Sequence, residues 1–192
     1  MKRNTLLGAV AFASLVTLSA CGESPYQEPT AEESEAVPAA DADATADAAA
    51  STEPEVEANG TVIDIQMYTR DPDDASGLQV FKPRLIMAKV GDTVRFVPTD
   101  PTHQSSSIPE MLPEGARGWQ GEINKEVSYV LPKPGIYGYK CVPHYAAGMI
   151  GMIIVEGDGK TSNLEAAKAV THPGLAGREF NEIFEEAASM LN

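Results

Sequence analysis

Cysteine, histidine and basic side chains are all scarce in this chain. The two cysteines among 192 residues exclude a disulfide-rich scaffold and a four-cysteine zinc site. Three histidines exclude a multicopper oxidase, whose combined copper centres require many more imidazoles. Fourteen Lys and Arg against 28 Asp and Glu leave a net charge of −14. This balance argues against nucleic acid as a partner, because phosphate binding needs clustered cations.

The N-terminus has the three regions of an export signal. Lys2 and Arg3 precede an apolar run over residues 6–18, which is too short to cross a membrane comfortably. Leu18-Ser19-Ala20-Cys21 follows, and small residues before a cysteine predict a signal peptide over residues 1–20. Leu-Ser-Ala-Cys also resembles the bacterial lipobox, which implies cleavage before Cys21 and lipid attachment to its thiol. The alternative is an ordinary signal peptide with a cysteine near its cleavage site.

Residues 21–59 combine the lipidated cysteine with an acidic segment. Gly22 to Asn59 contains eleven Asp or Glu and no Lys or Arg. Such a segment buries too little apolar surface to offset its chain entropy, so it predicts a disordered tether rather than a docking motif. Gly22 stands where an Asp would resemble an inner-membrane retention signal, which favours the outer membrane.

Residues 60–192 predict a mainly β domain. Thr61–Tyr68 alternates between apolar and polar positions, as a half-buried strand does. Further β-like segments are Leu78–Phe81, Leu85–Lys89, Thr93–Val97, Val127–Leu131, Ile136–Lys140 and Met152–Val155. Short strands separated by turn signals are typical of a Greek-key β-sandwich.

The tail of the chain predicts two α-helices. Asn163 can cap a helix over Leu164–Val170, and Pro173-Gly174 then breaks the chain. Apolar residues recur at helical spacing after this break: Phe180, Ile183, Phe184, Ala187 and Leu191. We expect this apolar face to pack on the sandwich rather than to form a groove for a partner.

Cys141 is the one thiol that remains when Cys21 carries lipid. His144 follows it by three residues and Met149 by eight, immediately after a predicted strand, and His103 lies upstream. Two His and one Cys with a distant Met form the ligand set of a blue-copper site. Such a site has no open position for a substrate, so it predicts electron transfer and not an enzyme. A structural zinc site is the nearest alternative, but Met is a poor zinc ligand.

From about Val62 to Ala188 the chain resembles the pseudoazurin family of type 1 copper proteins, which have the cupredoxin fold. The landmarks are Val90-Gly91-Asp92-Thr93-Val94, Phe96-Val97-Pro98, Met111-Leu112-Pro113-Glu114-Gly115-Ala116, Pro134-Gly135-Ile136-Tyr137 and the Cys-x-Pro-His-Tyr loop. The resemblance implies that one copper ion is bound by His103, Cys141, His144 and Met149. It also implies that the ring edge of His144 is the electron exit, set in an exposed apolar patch.

Two features depart from that family. Gln104 stands where the family commonly has an Asn that ties the ligand loops together, so the redox potential is not implied. The family's lysine-rich rim is reduced to Lys133 and Lys140. It is diluted by acidic residues, Glu110, Glu114, Glu122 and Glu126, so the family's usual partner is not implied either.

Three further residues have less specific interpretations. We expect Trp119 to pack in the core or a loop. We expect His172, which is far in sequence from the ligand loop, to be a surface residue. Tyr145 is equally consistent with packing and with a partner contact.

The sequence therefore predicts a lipid-anchored, cupredoxin-like monomer that shuttles single electrons in the periplasm. Redox proteins would dock transiently near His144. The alternative is a copper-binding module that stores or delivers metal.

Overall fold

Two four-stranded β-sheets face each other in the computed structural model, which describes residues 56–192. The strands are β1 (Val62–Arg70), β2 (Leu78–Lys82), β3 (Leu85–Lys89), β4 (Thr93–Pro98), β5 (Ser106–Ser107), β6 (Val127–Val130), β7 (Gly135–Lys140) and β8 (Ile150–Glu156). One sheet has the order β2-β1-β4-β6 and the other β3-β8-β7-β5. The β1–β4 and β3–β8 pairs are parallel and the others antiparallel. The predicted two-sheet β fold is confirmed, while the predicted signal peptide, Cys21 and most of the linker lie outside the described residues.

One short strand, β5, was not predicted. Ser106 and Ser107 pair with Lys140 and Tyr139 of β7. Both serines are buried, so their segment lacks the apolar–polar alternation by which a strand is recognised in a sequence. β5 matters for the site because it begins three residues after His103 and lies beside the end of β7.

Aromatic rings fill the space between the sheets. Phe96 stacks on Trp119 with the ring centroids 5.0 Å apart, and it meets Tyr139 edge-on at 5.0 Å. Trp119 is only 8% exposed and donates its indole N–H to the Ser105 hydroxyl at 2.9 Å. It packs in the core, as expected. Burying a ring such as Phe96 contributes about 2–3 kcal/mol of transfer free energy.

The C-terminal helices cover the outer face of the second sheet, which has the strand order β3-β8-β7-β5. They are α1 (Leu164–Lys168), α2 (Ala176–Glu186) and α3 (Ala188–Leu191). Phe180 and Ile183 of α2 are buried in the same apolar cluster as Met152 and Ile154 of β8. The expected packing of this face on the sandwich is therefore confirmed, although the predicted second helix is divided at Ala187.

Asn163 has a different role from the predicted helix cap. Its side chain makes no capping hydrogen bond to α1. Instead, its amide oxygen accepts the Ile136 N–H at 2.9 Å and its amide nitrogen donates to the Ile136 carbonyl at 2.8 Å. Asn163 thereby ties the start of α1 to β7, the strand that leads into the ligand loop. Within residues 56–192, no helix is long and apolar enough to span a membrane.

Candidate metal centre

A nine-residue loop between β7 and β8 contains three of the four predicted ligands. It turns tightly: the His144 N–H donates to the Cys141 carbonyl at 3.1 Å, and the Met149 N–H donates to the His144 carbonyl at 3.2 Å. Gly148 adopts a φ of 95°, a left-handed conformation that glycine accepts without a Cβ clash. The loop can therefore return to the sheet directly after the turn that presents His144.

His103 reaches the same point from the other side of the sandwich. It lies between β4 and β5, and its backbone carbonyl accepts the Asn124 N–H at 2.8 Å. Its Nδ1 is 3.9 Å from the Cys141 sulfur, and the His144 Nδ1 is 3.5 Å from that sulfur. The three donor atoms lie within 4.8 Å of one another. The fold thus brings together three of the predicted ligands from two separate loops.

Met149, the predicted fourth ligand, lies beside this group. Its carbonyl accepts the Cys141 N–H at 3.0 Å, so the two residues form neighbouring ends of the loop. Met149 is fully buried, in the same apolar cluster as Cys141.

Access to the group is one-sided. His103, Cys141 and Met149 are all 0% exposed, whereas His144 is partly exposed. Val142 beside it and Leu175 across the loop are about half exposed, at 53% and 48%. Among these four side chains, only His144 reaches solvent.

Burial favours the neutral form of both His103 and Cys141. Burial lowers the pKa of His103, and the nearby His144 lowers it further, while Asp100 opposes both. A neutral imidazole is the form that binds a metal. Burial raises the pKa of the Cys141 thiol, against which the backbone N–H groups of Gln104 and His144 stabilise the thiolate. A metal ion would have to displace this thiol proton as it binds.

Thr69 orients His103 and was not predicted. Its hydroxyl oxygen lies 3.1 Å from Nε2 of the ring, on the side away from Cys141. With the proton on Nε2 and donated to Thr69, Nδ1 keeps a free lone pair for the metal. The Thr69 N–H donates to the Asp100 carboxylate at 2.8 Å, which steadies the strand end. Thr69 is 34 residues before His103, and nothing in its sequence context identifies it.

Gln104, which stands where the family commonly has Asn, directs its side chain to Ser106, two residues further along the chain. Its amide oxygen accepts the Ser106 hydroxyl at 3.1 Å. Its backbone N–H instead faces the Cys141 sulfur. The backbone of residue 104 therefore supports the sulfur, while its side chain supports β5.

His172, expected to be a surface residue, is only partly exposed and contacts the ligand loop, from which it is far in sequence. His172 is half-buried and stacks on Phe180 at a centroid distance of 4.2 Å. Its Nδ1 lies 2.5 Å from the Tyr145 hydroxyl, which accounts for Tyr145 as a packing residue. The two residues are 27 positions apart, so the sequence alone offered no sign of this contact.

Comparison with known proteins relates the whole domain to copper proteins. The family model for copper-binding proteins of the plastocyanin/azurin family matches residues 69–156. The pseudoazurin of Paracoccus pantotrophus is 43% identical over 101 residues, which are 53% of this chain and 68% of that protein. The pseudoazurin of Methylorubrum extorquens is 40% identical over 110 residues, or 57% and 73%. A solved pseudoazurin structure from Sinorhizobium meliloti superimposes with a TM-score of 0.63 at 39% identity, covering 67% of this chain and 98% of that one.

Proposed function

The chain belongs to the pseudoazurin family of copper electron-transfer proteins, and from this premise we propose that His103, Cys141, His144 and Met149 are its copper ligands. The observation that supports this set most strongly is the approach of three donor atoms to within 4.8 Å, with Met149 buried beside them. Bound copper supplies a one-electron couple between Cu(I) and Cu(II). The soft sulfur donors suit the first state and the imidazoles suit the second.

Each side chain has a separate task in this proposal. Cys141 contributes the thiolate from a fully buried position, where two backbone N–H groups stabilise its charge. His103 is held by Thr69 with Nδ1 directed at the sulfur. Because protein atoms fill all four positions, there is none for a substrate, and the site transfers electrons without bond chemistry.

His144 is the electron exit of the proposed site. It is the one member of the set that reaches solvent, and Val142 of the same loop and Leu175, whose N–H bonds to that loop, are both about half exposed. The two lysines that remain of the family's basic rim both have contacts within the domain. Lys133 donates to the Glu114 carbonyl, and the Lys140 ammonium lies 4.6 Å from the centre of the Tyr145 ring. Redox proteins would dock transiently near His144, with the domain acting as a monomer.

The export signal extends the proposal to location. Residues 1–20 would be removed as a signal peptide, and Cys21 would carry the lipid that holds the domain of residues 60–192 to a periplasmic membrane surface, with the outer membrane preferred. If the 38 residues from Gly22 to Asn59 behave as a flexible chain, they would span roughly 35 Å. This tether would keep the domain close to membrane-bound redox partners and raise its effective concentration towards them.

Absorption and EPR spectra of the full-length chain loaded with Cu(II) test the ligand set. We expect an intense thiolate-to-copper band in the wild-type chain and its loss in Cys141→Ser. A wild-type chain that is colourless or only weakly coloured would contradict the set.

Fractionation of cells tests the location. The wild-type chain is expected in the membrane fraction and Cys21→Ser in the soluble periplasmic fraction. Recovery of both chains in the same fraction would contradict a lipid on Cys21.

A further inference from the structure

The segment that precedes α2 holds the ligand loop at two consecutive residues. Tyr145 directs its hydroxyl to His172 Nδ1 at 2.5 Å, and the Ala146 carbonyl accepts the Leu175 N–H at 2.8 Å. Gly174 lies so close to the Ala146 carbonyl that no larger residue fits there without a shift. The backbone and one side chain of the loop are therefore both fixed from a part of the chain that supplies no ligand.

The chemistry of the Tyr145–His172 pair defines its direction. The Tyr145 phenol carries a hydroxyl proton that it can donate to the ring nitrogen 2.5 Å away. Burial lowers the pKa of His172, as does Lys140, while Glu110 opposes them. A neutral imidazole has a free lone pair on Nδ1 when its proton is on Nε2. With that tautomer of His172, the bond runs from the Tyr145 hydroxyl to Nδ1.

His172 is itself held in place. Its ring stacks on Phe180 with an interplanar angle of 29°, and Phe180 is buried against the second sheet. The contact thus connects the packed core of α2, through His172, to Tyr145, which is the residue next to His144.

We propose that His172 is a positioning residue of the copper site, which acts through Tyr145 to hold residues 144–149 in their ligating conformation. This inference deepens the proposed function and rests on the ligand set given above. Without the contact, His144 and Met149 would sample a wider range of positions. Their shared loop would then keep only one of the two hydrogen bonds to the segment before α2, the bond from the Leu175 N–H to the Ala146 carbonyl.

Amide hydrogen exchange in the metal-free, full-length chain tests the contact independently of copper. The probes are the N–H groups of Ala147, Gly148 and Met149, which donate within the loop. In Tyr145→Phe and His172→Leu we expect these amides to exchange about fivefold faster, the factor that one net hydrogen bond contributes. His172→Asn keeps an acceptor attached to Cγ, in the position of Nδ1, and should restore the slow exchange.

Tyr137→Phe is the matched control. It removes another tyrosine hydroxyl bond, to the Lys133 carbonyl at 2.9 Å, near the opposite end of β7. This variant should leave the loop amides unchanged. Loop exchange that is equal in Tyr145→Phe and Tyr137→Phe would overturn the proposal.

Spectra of the copper-loaded variants provide the second readout. Tyr145→Phe and His172→Leu should shift the thiolate-to-copper band and the copper EPR parameters, whereas Tyr137→Phe and His172→Asn should not. Unshifted spectra in both Tyr145→Phe and His172→Leu would also overturn the proposal. A colourless wild-type chain would instead contradict the ligand set, and the exchange experiment would still decide the role of His172.

Discussion

Replacement of Thr69 by valine tests whether a hydroxyl 3.1 Å from His103 Nε2 tunes the metal site. Valine has nearly the shape of threonine but offers no acceptor for the ring N–H. Thr69→Ser is the matched control, since it keeps the hydroxyl and loses only the methyl group. Thr69 is exposed, so neither change should disturb packing. The N–H of residue 69 still donates to Asp100 in both variants because that bond comes from the backbone.

The size of the effect follows from the burial of the ring. His103 is 0% exposed, so its Nε2–H would lose its acceptor with little access to water. An unsatisfied buried donor costs about 1–3 kcal/mol. Loss of a hydrogen-bond partner behind a metal-binding histidine lowers metal affinity about 10–100-fold, or about 1.4–2.7 kcal/mol. The two arguments agree, and we expect Thr69→Val to weaken copper binding within this range.

Competition for Cu(I) against a chromophoric chelator measures the affinity in the full-length wild-type, Thr69→Val and Thr69→Ser chains. Thr69→Ser should stay close to wild type. Two results would refute the reasoning: a Thr69→Val affinity within twofold of wild type, or an equal loss in Thr69→Ser. The second result would attribute the effect to the methyl group and not to the hydrogen bond.

Two further predictions concern stability. Gly151→Ala would place a Cβ against the Tyr139 ring and should destabilise the fold by about 1–3 kcal/mol. Gly177→Ala in α2 is the contrasting change, because the new Cβ would have its nearest neighbour, the His172 carbonyl oxygen, 3.8 Å away. It should stabilise the fold by about 0.5–1 kcal/mol. Chemical denaturation measures both, and equal effects would contradict the packing argument. The metal-free chain should also lose stability as the pH falls below 6.5, the ordinary pKa of histidine, because the folded-state pKa values of His103 and His172 are lowered. The unfolded chain then takes up protons first, so this contribution is complete above pH 6.5. A flat unfolding free energy between pH 7 and 5 would contradict it.

The sequence predicts the parts of the site that depend on local spacing. Cys141, His144 and Met149 share one loop, so their proximity follows from the short turn that must join two strands. Strands β1, β3 and β4 were also predictable, since their residues alternate between buried and more exposed positions.

Contacts that depend on tertiary packing could not be predicted in this way. Thr69 and His103 meet across 34 residues and Tyr145 and His172 across 27, with no repeating pattern to connect them. Asn163 illustrates a different limit. An Asn at a helix start has the same sequence context whether it caps its own helix or, as here, bonds to a neighbouring strand.

The burial of Cys141 also bears on the order in which the protein matures. A thiol with no exposed surface and a raised pKa is a poor nucleophile, so its reaction with disulfides and oxidants is slow. Once folded, the metal-free chain can therefore wait in an oxidising compartment with its thiol intact. The Cys141 thiol is open to oxidation mainly during the time before folding is complete. Metal can then be inserted after folding is complete, and the speed of folding becomes the property that protects the thiol.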